Sequence, residues 1–427
     1  MNVTNILYVS SFADPNPVNS NRTSVAVVSS LVKQGLNVKM MTCDRDATWR
    51  GALPDGTFKV AGQPVLETVR DEIPYVMVSL PGIWHERFMT DAEWDDAVQW
   101  GIHLLEYVKP GIVHLQQWHN LWWMLAAAQK LDIPTVYSVN DYGMTCQRTL
   151  LFTGSGKPCN GPDGVVTCSL CIYRGRSFVG KCNELVALIP GAFPLLNLGF
   201  GKEADRILVR HGVVRLPVYK RVANNLRRAT EVLRNVSAVT VGSPFGMEVL
   251  SRSGVASEKL HINPWFHEQT DLCTPIIDTP DNLTLGFVGR ISPEKGLHVL
   301  LEALSRVRSS KPVTLRIAGG VQGRYAKELF KRYETQAGNN RVEWLGWIKN
   351  CDLKDFYASV GITVVPSICM ETGPLSMFES FAHKRPVLCS DISPLKWPNN
   401  KYGTGATFPY ADVGALSQIL IQLSSNL

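Results

Sequence analysis

Apolar and polar positions run through this chain in two separate series, each alternating short apolar runs with helical stripes. Residues 5–10 (NILYVS) form a continuous apolar run of the kind carried by a strand buried on both faces. A Pro/Asn-rich loop is expected over 14–21, then a helix over 23–34 closed by Gly35, then a strand over 37–42. A strand at 112–115, a helix at 121–130 and a strand at 135–139 continue the pattern. This β-then-α rhythm predicts an α/β protein with doubly wound parallel sheets. A second series opens with a strand at 283–288 and a helix at 297–307, followed by strands at 313–318, 341–345 and 362–366. Residues 141–233 fit the rhythm poorly and read as an insertion on the first domain, whose sheet resumes at 238–241. A Pro- and Asp-bearing linker at 267–281 sets the expected domains at 1–268 and 269–427.

Composition narrows the class. With 427 residues, 45% hydrophobic and 19% charged, the chain is neither disordered, collagenous nor coiled-coil. A net charge of +6 suits anionic small molecules or an acidic membrane surface and is too small to imply nucleic-acid binding. The first residues lack a basic stretch followed by an apolar one, so no signal peptide is expected. The apolar run 185–201 is broken by Pro190, Pro194 and glycines and falls short of the roughly 20 residues of a spanning helix. It reads either as a buried connection or as a lipid-contacting lid, with Arg174, Arg176 and Lys181 near anionic headgroups. Ten cysteines without a secretory signal point to a reducing, cytoplasmic setting. Residues 199–204 (GFGKEA) match a dinucleotide-binding pattern in form only. No acid lies between Asp205 and Glu231 to take a ribose.

Two clusters carry chemistry. In ETGPLSMFE, Glu371 precedes a helix that Pro374 opens, and Glu379 falls in its second turn beside an apolar stripe of Leu375, Phe378, Phe381 and Ala382. A helix N-terminus beyond a parallel strand suits a phosphate, and two flanking carboxylates suit sugar hydroxyls. Taken alone, a helix-start acid and a solvated acid are the plainer reading. The stretch LGFVGRISPEKGL shifts the balance. It places Arg290 and Lys295 five residues apart beyond Gly289 at a strand end, where two fixed cations neutralise a diphosphate.

These stretches, together with RIAGG and VEWLGWI, resemble the donor half of the GT-B glycosyltransferases, specifically the large retaining family 4. The resemblance covers residues 282–413 and extends more loosely over 5–171 and 236–264. It implies two Rossmann-like domains facing a cleft, with a hexosyl group moved from a nucleoside diphosphate sugar to an acceptor hydroxyl of a glycan, a lipid-linked glycan or a small metabolite. By this resemblance Arg290 and Lys295 hold the diphosphate, Glu371 the donor sugar and Glu379 the ribose. Gly373, Pro374 and Leu375 would meet phosphate or sugar, and Gly346, Trp347 and Ile348 would lie near the base. No catalytic metal is implied. The departures lie in the first domain and bear on the acceptor and the donor sugar. Val18 and Asn19 stand before Arg22 where the family has a glycine pair, and Asn140 precedes Asp141 where the family has a His that touches the donor sugar; His119 reads either as a substitute for it or as a packed or solvated loop ring. The loss of that His gives weight to a second class, a catalytically impaired homologue that binds sugar nucleotides or serves as a scaffold. A subset of the family also carries a cysteine-bearing loop. Here Cys146, Cys159, Cys168 and Cys171, with Cys182 as a substitute, allow a structural zinc site or reduced thiols, and less readily an iron–sulfur cluster.

Overall fold

The computed structural model describes residues 5–10, 19–43, 55–80, 89–116, 121–173, 216–264, 283–309 and 312–425. The chain divides into two compact units, residues 1–155 with 160–264, and residues 156–159 with 265–427.

The first unit runs β1 (Asn5–Ser10), α1 (Asn19–Lys33), β2 (Asn37–Cys43), β3 (Phe58–Val60), β4 (Gln63–Arg70), β5 (Ile73–Val78), α2 (Asp91–Val108), β6 (Ile112–Leu115), α3 (Trp123–Lys130) and β7 (Thr135–Ser138). It continues with α4 (Val165–Tyr173), α5 (Leu216–Asn235), β8 (Ala238–Val241), α6 (Pro244–Arg252) and β9 (Leu260–Ile262). Among the described residues its sheet has the order β3-β4-β5-β2-β1-β6-β7-β8-β9, parallel from β5 to β9 and antiparallel through β3, β4 and β5. Strands are added outward from β1 on both sides, so the winding reverses between β1 and β6. The residues that follow both strands, His119 among them, lie outside the described residues. So do the linker 267–281, Cys182 and the run 185–201 with its neighbouring cations. α1 begins at Asn19, inside the stretch expected to be loop. α2 was not expected at all, although Thr90 and Glu93 form a capping box at its start. Glu93 N–H donates to Thr90 Oγ1 (3.2 Å), and Thr90 N–H donates to Glu93 Oε2 (2.7 Å). Arg228 of α5 is no surface cation. It is buried over the Trp94 ring and donates to Asp91 Oδ1 (2.5 Å) and to the Met89 carbonyl (3.1 Å), which ties α5 to α2.

The second unit runs β10 (Thr284–Val288), α7 (Leu297–Arg306), β11 (Thr314–Ala318), α8 (Gly323–Arg332), β12 (Gln336–Ala337), β13 (Asn340–Gly346) and α9 (Leu353–Ala358). It ends with β14 (Ile362–Val365), α10 (Leu375–Ala382), β15 (Val387–Ser390), α11 (Ser393–Tyr402), β16 (Gly405–Phe408) and α12 (Val413–Ser425). The strand order is β12-β13-β11-β10-β14-β15-β16, parallel except for β12. The reversal of winding lies between β10 and β14, and in an open α/β sheet that is where a crevice opens at the carboxyl ends of the strands. Buried Asn340 braces the opposite end. Its amide donates to the Leu304 and Val307 carbonyls, and its Oδ1 accepts from Val313 N–H (3.0 Å). α12 packs on α7. Among the described residues no helix is long and apolar enough to cross a membrane.

The stripe expected on α10 is corrected by the structure. Leu375, Phe378, Phe381 and Ala382 are only half-buried, whereas Met377, Glu379 and Ser380 are buried. The helix turns a polar face inward because that face is satisfied. Ser380 Oγ donates to Thr363 Oγ1 (2.8 Å) and lies 3.0 Å from the Arg385 carbonyl.

Gly296, between the short turn Pro293–Lys295 and α7, adopts φ +70°, and a Cβ there would collide with the Pro366 carbonyl beyond β14. Gly296→Ala is expected to lower stability by roughly 2 kcal/mol or more, from the left-handed backbone and the collision together. The check is the Tm of the full chain. A Tm equal to that of the parent would show that the loop does not rest on Pro366.

Candidate functional site

Two loops leave the carboxyl ends of β10 and β14 side by side and are joined at several levels. Ile368 N–H donates to the Glu294 carbonyl (2.9 Å), and Gly296 lies against Pro366. Across this seam Lys295 Nζ donates to Glu371 Oε1 at 2.7 Å, and Ser367 Oγ donates to the same oxygen at 2.7 Å. The pair is largely withdrawn from water, with the lysine side chain 23% exposed and the glutamate 11%. Burial alone would lower the Lys295 pKa, yet the adjoining Glu371 carboxylate outweighs it and the ammonium is held above its ordinary range. For Glu371 burial works toward protonation. The Lys295 charge, the bonds from Lys295 and Ser367 and the nearby Arg290 outweigh it and hold the carboxyl below its ordinary range.

Arg290 stands at the open side of this pair. Its side chain is 69% exposed, and its guanidinium lies 3.4 Å from Glu294 Oε1, which also accepts from Ser292 Oγ (2.6 Å). Cys369 is buried next to Glu371, with its Sγ 3.9 Å from Oε1. Burial and the Glu371 charge push its thiol well up, so it stays protonated. On α10, Glu379 is buried and accepts from Tyr357 O–H (3.0 Å).

The neighbouring strand ends complete the row. Gly289 N–H donates to the Ala318 carbonyl (3.0 Å), Gly319 presses on the Gly289 carbonyl with no room for a Cβ, and Gly319 N–H donates to the Gly346 carbonyl (2.8 Å). Beyond Gly346 the Trp347 side chain is 67% exposed, and Ile348 packs on a cluster holding Phe356 and Tyr357. Pro374 caps α10, Leu375 opens it and Gly373 precedes them. Of the residues singled out from sequence, the structure thus brings Arg290, Lys295 and Glu371 together. Gly289 and Gly346 lie at the ends of β10 and β13, Gly373–Leu375 at the start of α10, and Glu379 is buried on that helix.

The first-unit candidates are placed differently. Asn19 and Arg22 fall in the first turns of α1, with side chains outside the described set. Asn140 and Asp141 follow β7, where Asp141 Oδ1 accepts from Gly143 N–H (2.7 Å) in a tight turn. Of the four cysteines, Cys146 and Cys159 precede α4, and Cys168 and Cys171 lie on it. Among the described residues no group of three or more His, Cys, Asp or Glu side chains is placed to hold a metal ion. Cys168 and Cys171 share α4, and Cys171 Sγ accepts from Gly154 N–H (3.4 Å). Cys146 lies near Cys171, and burial pushes its thiol up.

Glu294, Ser367 and Tyr357 were missed by sequence reasoning. The only signal for Glu294 is its place between Arg290 and Lys295. A lone Ser after an apolar strand and a Tyr inside an apolar helix carry none.

In comparisons with known proteins, residues 282–426 match the family model described as Glycosyl transferases group 1. An uncharacterized glycosyltransferase of Methanocaldococcus jannaschii is 26% identical over 170 residues, 37% of this chain and 43% of that relative, so the match spans less than half of its length. Among solved structures, a sucrose-phosphate synthase from Thermosynechococcus elongatus superposes with TM-score 0.62 at 16% identity, covering 99% of this chain and 90% of that one. HepE of Anabaena, in complex with UDP, gives 0.59 at 14% identity with the same coverages.

The charge logic predicts a pH signature for the pair. Glu371 has a depressed folded-state pKa, so its contribution is present above the unfolded value of 4.5 and lost as pH falls through the folded one. The Tm gap between the parent and Glu371→Gln is therefore expected to be constant through neutral pH and to narrow below about 4.5. A gap independent of pH would show that the pair is not ionic. The residues that match the Glycosyl transferases group 1 model contain this whole site, and the two doubly wound α/β units have the GT-B fold.

Proposed function

We propose that the protein is a retaining glycosyltransferase of family 4 that takes a nucleoside diphosphate sugar as donor and transfers a hexosyl group to an acceptor hydroxyl. The convergence of Arg290, Lys295 and Glu371 at the reversal point of the second sheet carries this reading. The UDP bound by HepE supports a nucleoside diphosphate as the ligand class.

The chemistry follows from the charges. The bond from the anomeric carbon to the phosphate oxygen breaks, and the diphosphate departs with added negative charge. The exposed guanidinium of Arg290 and the ammonium of Lys295 neutralise that charge as it forms, so the site needs no side-chain nucleophile. Backbone N–H groups at the start of α10, around Gly373 and Leu375, face the same anion. Glu371 accepts from a donor-sugar hydroxyl, and Glu379 accepts from the ribose. The departing phosphate oxygen takes the proton of the acceptor hydroxyl, which attacks from the same face and so retains the anomeric configuration. The acceptor side belongs to the first unit. Asn140 keeps one hydrogen-bonding role there without titrating.

The test is a thermal-shift panel of nucleoside diphosphate sugars and free diphosphates, followed by transfer assays. A ligand at 100 times its Kd stabilises by about 2.7 kcal/mol, so one nucleotide class is expected to raise the Tm, and Glu379→Ala to abolish the rise. Arg290→Ala is expected to cut turnover about 100-fold, and product NMR to show the donor's anomeric configuration. No shift with any nucleotide would sink the donor reading. Binding without transfer across a broad acceptor set would favour a catalytically impaired homologue.

A further inference from the structure

We propose that Tyr357 is a positioning residue that fixes the Glu379 carboxylate for recognition of the donor's ribose. The inference rests on the donor reading above. Tyr357 is fully buried on α9, and its hydroxyl reaches Glu379 Oε2 at 3.0 Å and the Ser376 carbonyl at 3.2 Å. Its ring is held on one face by His383, nearly parallel at 13° with centroids 5.0 Å apart. Its own carbonyl accepts from the buried Arg385 Nε at 2.7 Å. The backbone of the glutamate is gripped as well, since His383 N–H donates to the Glu379 carbonyl at 3.0 Å. Ring, hydroxyl and glutamate thus form one braced unit between α9 and α10.

The chemistry gives this bracing a purpose. A ribose presents two neighbouring hydroxyls, and a carboxylate takes both only when its plane is fixed. A glutamate has three rotatable torsions, and ordering such a side chain on binding costs up to ~1.5–2 kcal/mol. A phenol that engages Oε2 beforehand removes much of that cost. It also stays a donor at working pH, because burial and the neighbouring carboxylate push its pKa well above the ordinary value.

The experiment compares Kd values of UDP, ADP and GDP with those of their 2′,3′-dideoxy counterparts, for the parent chain and for Tyr357→Phe. Phenylalanine keeps the ring and its stack and deletes only the hydroxyl. The parent is expected to prefer the ribonucleotide of its own base. Tyr357→Phe is expected to shrink that preference at least about threefold while leaving the dideoxynucleotide Kd unchanged. An undiminished preference in Tyr357→Phe, or an equal loss for both ligands, would overturn the positioning role and leave the donor reading standing. A parent chain that binds none of the six ligands, or binds ribose and dideoxyribose forms alike, would remove the ribose role of Glu379 and this inference with it. Should Tyr357→Phe not fold, His383→Ala, which unstacks the ring from a half-buried position, reads the same ratio. A smaller fall in the same direction supports the role, and no change overturns it.

Discussion

A lysine ammonium and a glutamate carboxylate 2.7 Å apart, 76 residues apart in sequence, form the joint on which this site depends. A half-hidden ion pair of this kind contributes little net stability, because desolvation offsets most of the attraction. Its value lies in register. Ser367 on the same carboxylate oxygen and the backbone bond from Ile368 to Glu294 fix where the charges stand, so the loops beyond β10 and β14 carry a set electrostatic pattern. Arg290 adds an exposed positive charge at the rim, with Glu294 as its tether.

The two carboxylates are handled differently. Glu371 is held ionised by a cation and a hydroxyl at a loop. Glu379 sits on the inward face of α10 against a phenol, beside Ser380 and its own satisfied contacts. Burying a polar helix face is tolerable only when each group on it has a partner, and those partners here come from β14, α9 and the turn after α10.

Much of this was legible in the sequence. The strands at 5–10, 112–115 and 238–241 are where their apolar runs place them, because strands covered on both faces read as unbroken hydrophobic stretches. The β3–β5 segment was not legible. β4 carries Glu67, Thr68 and Arg70 on a half-covered edge, which blurs its alternation. α2 was signalled by Thr90 and Glu93, a cue from capping and not from hydrophobic period. The stripe on α10 was misread because the amphipathic rule assumes that a helix's polar face meets water. The cysteine spacing leaves zinc and reduced thiols both open, since spacing along the chain does not by itself bring sulfurs to one centre. The cations and carboxylates of the site were legible as types in order. Their supports, Ser367, Glu294 and Tyr357, were not, because each acquires its role from a neighbour far along the chain.

The strand order has a consequence for synthesis of the chain. Both cations leave β10, but both carboxylates follow β14, which comes later in the chain than β11 and β13 on the other side of β10. A nascent second unit that has emerged only as far as β13 therefore displays Arg290 and Lys295 with neither Glu371 nor Glu379 to balance them. Closing this joint brings together residues 76 apart in sequence, a non-local contact of the kind whose loop-closure entropy slows folding. Until β14 arrives, Glu294 is the acid this loop itself offers its two cations, and Lys295 lacks its partner.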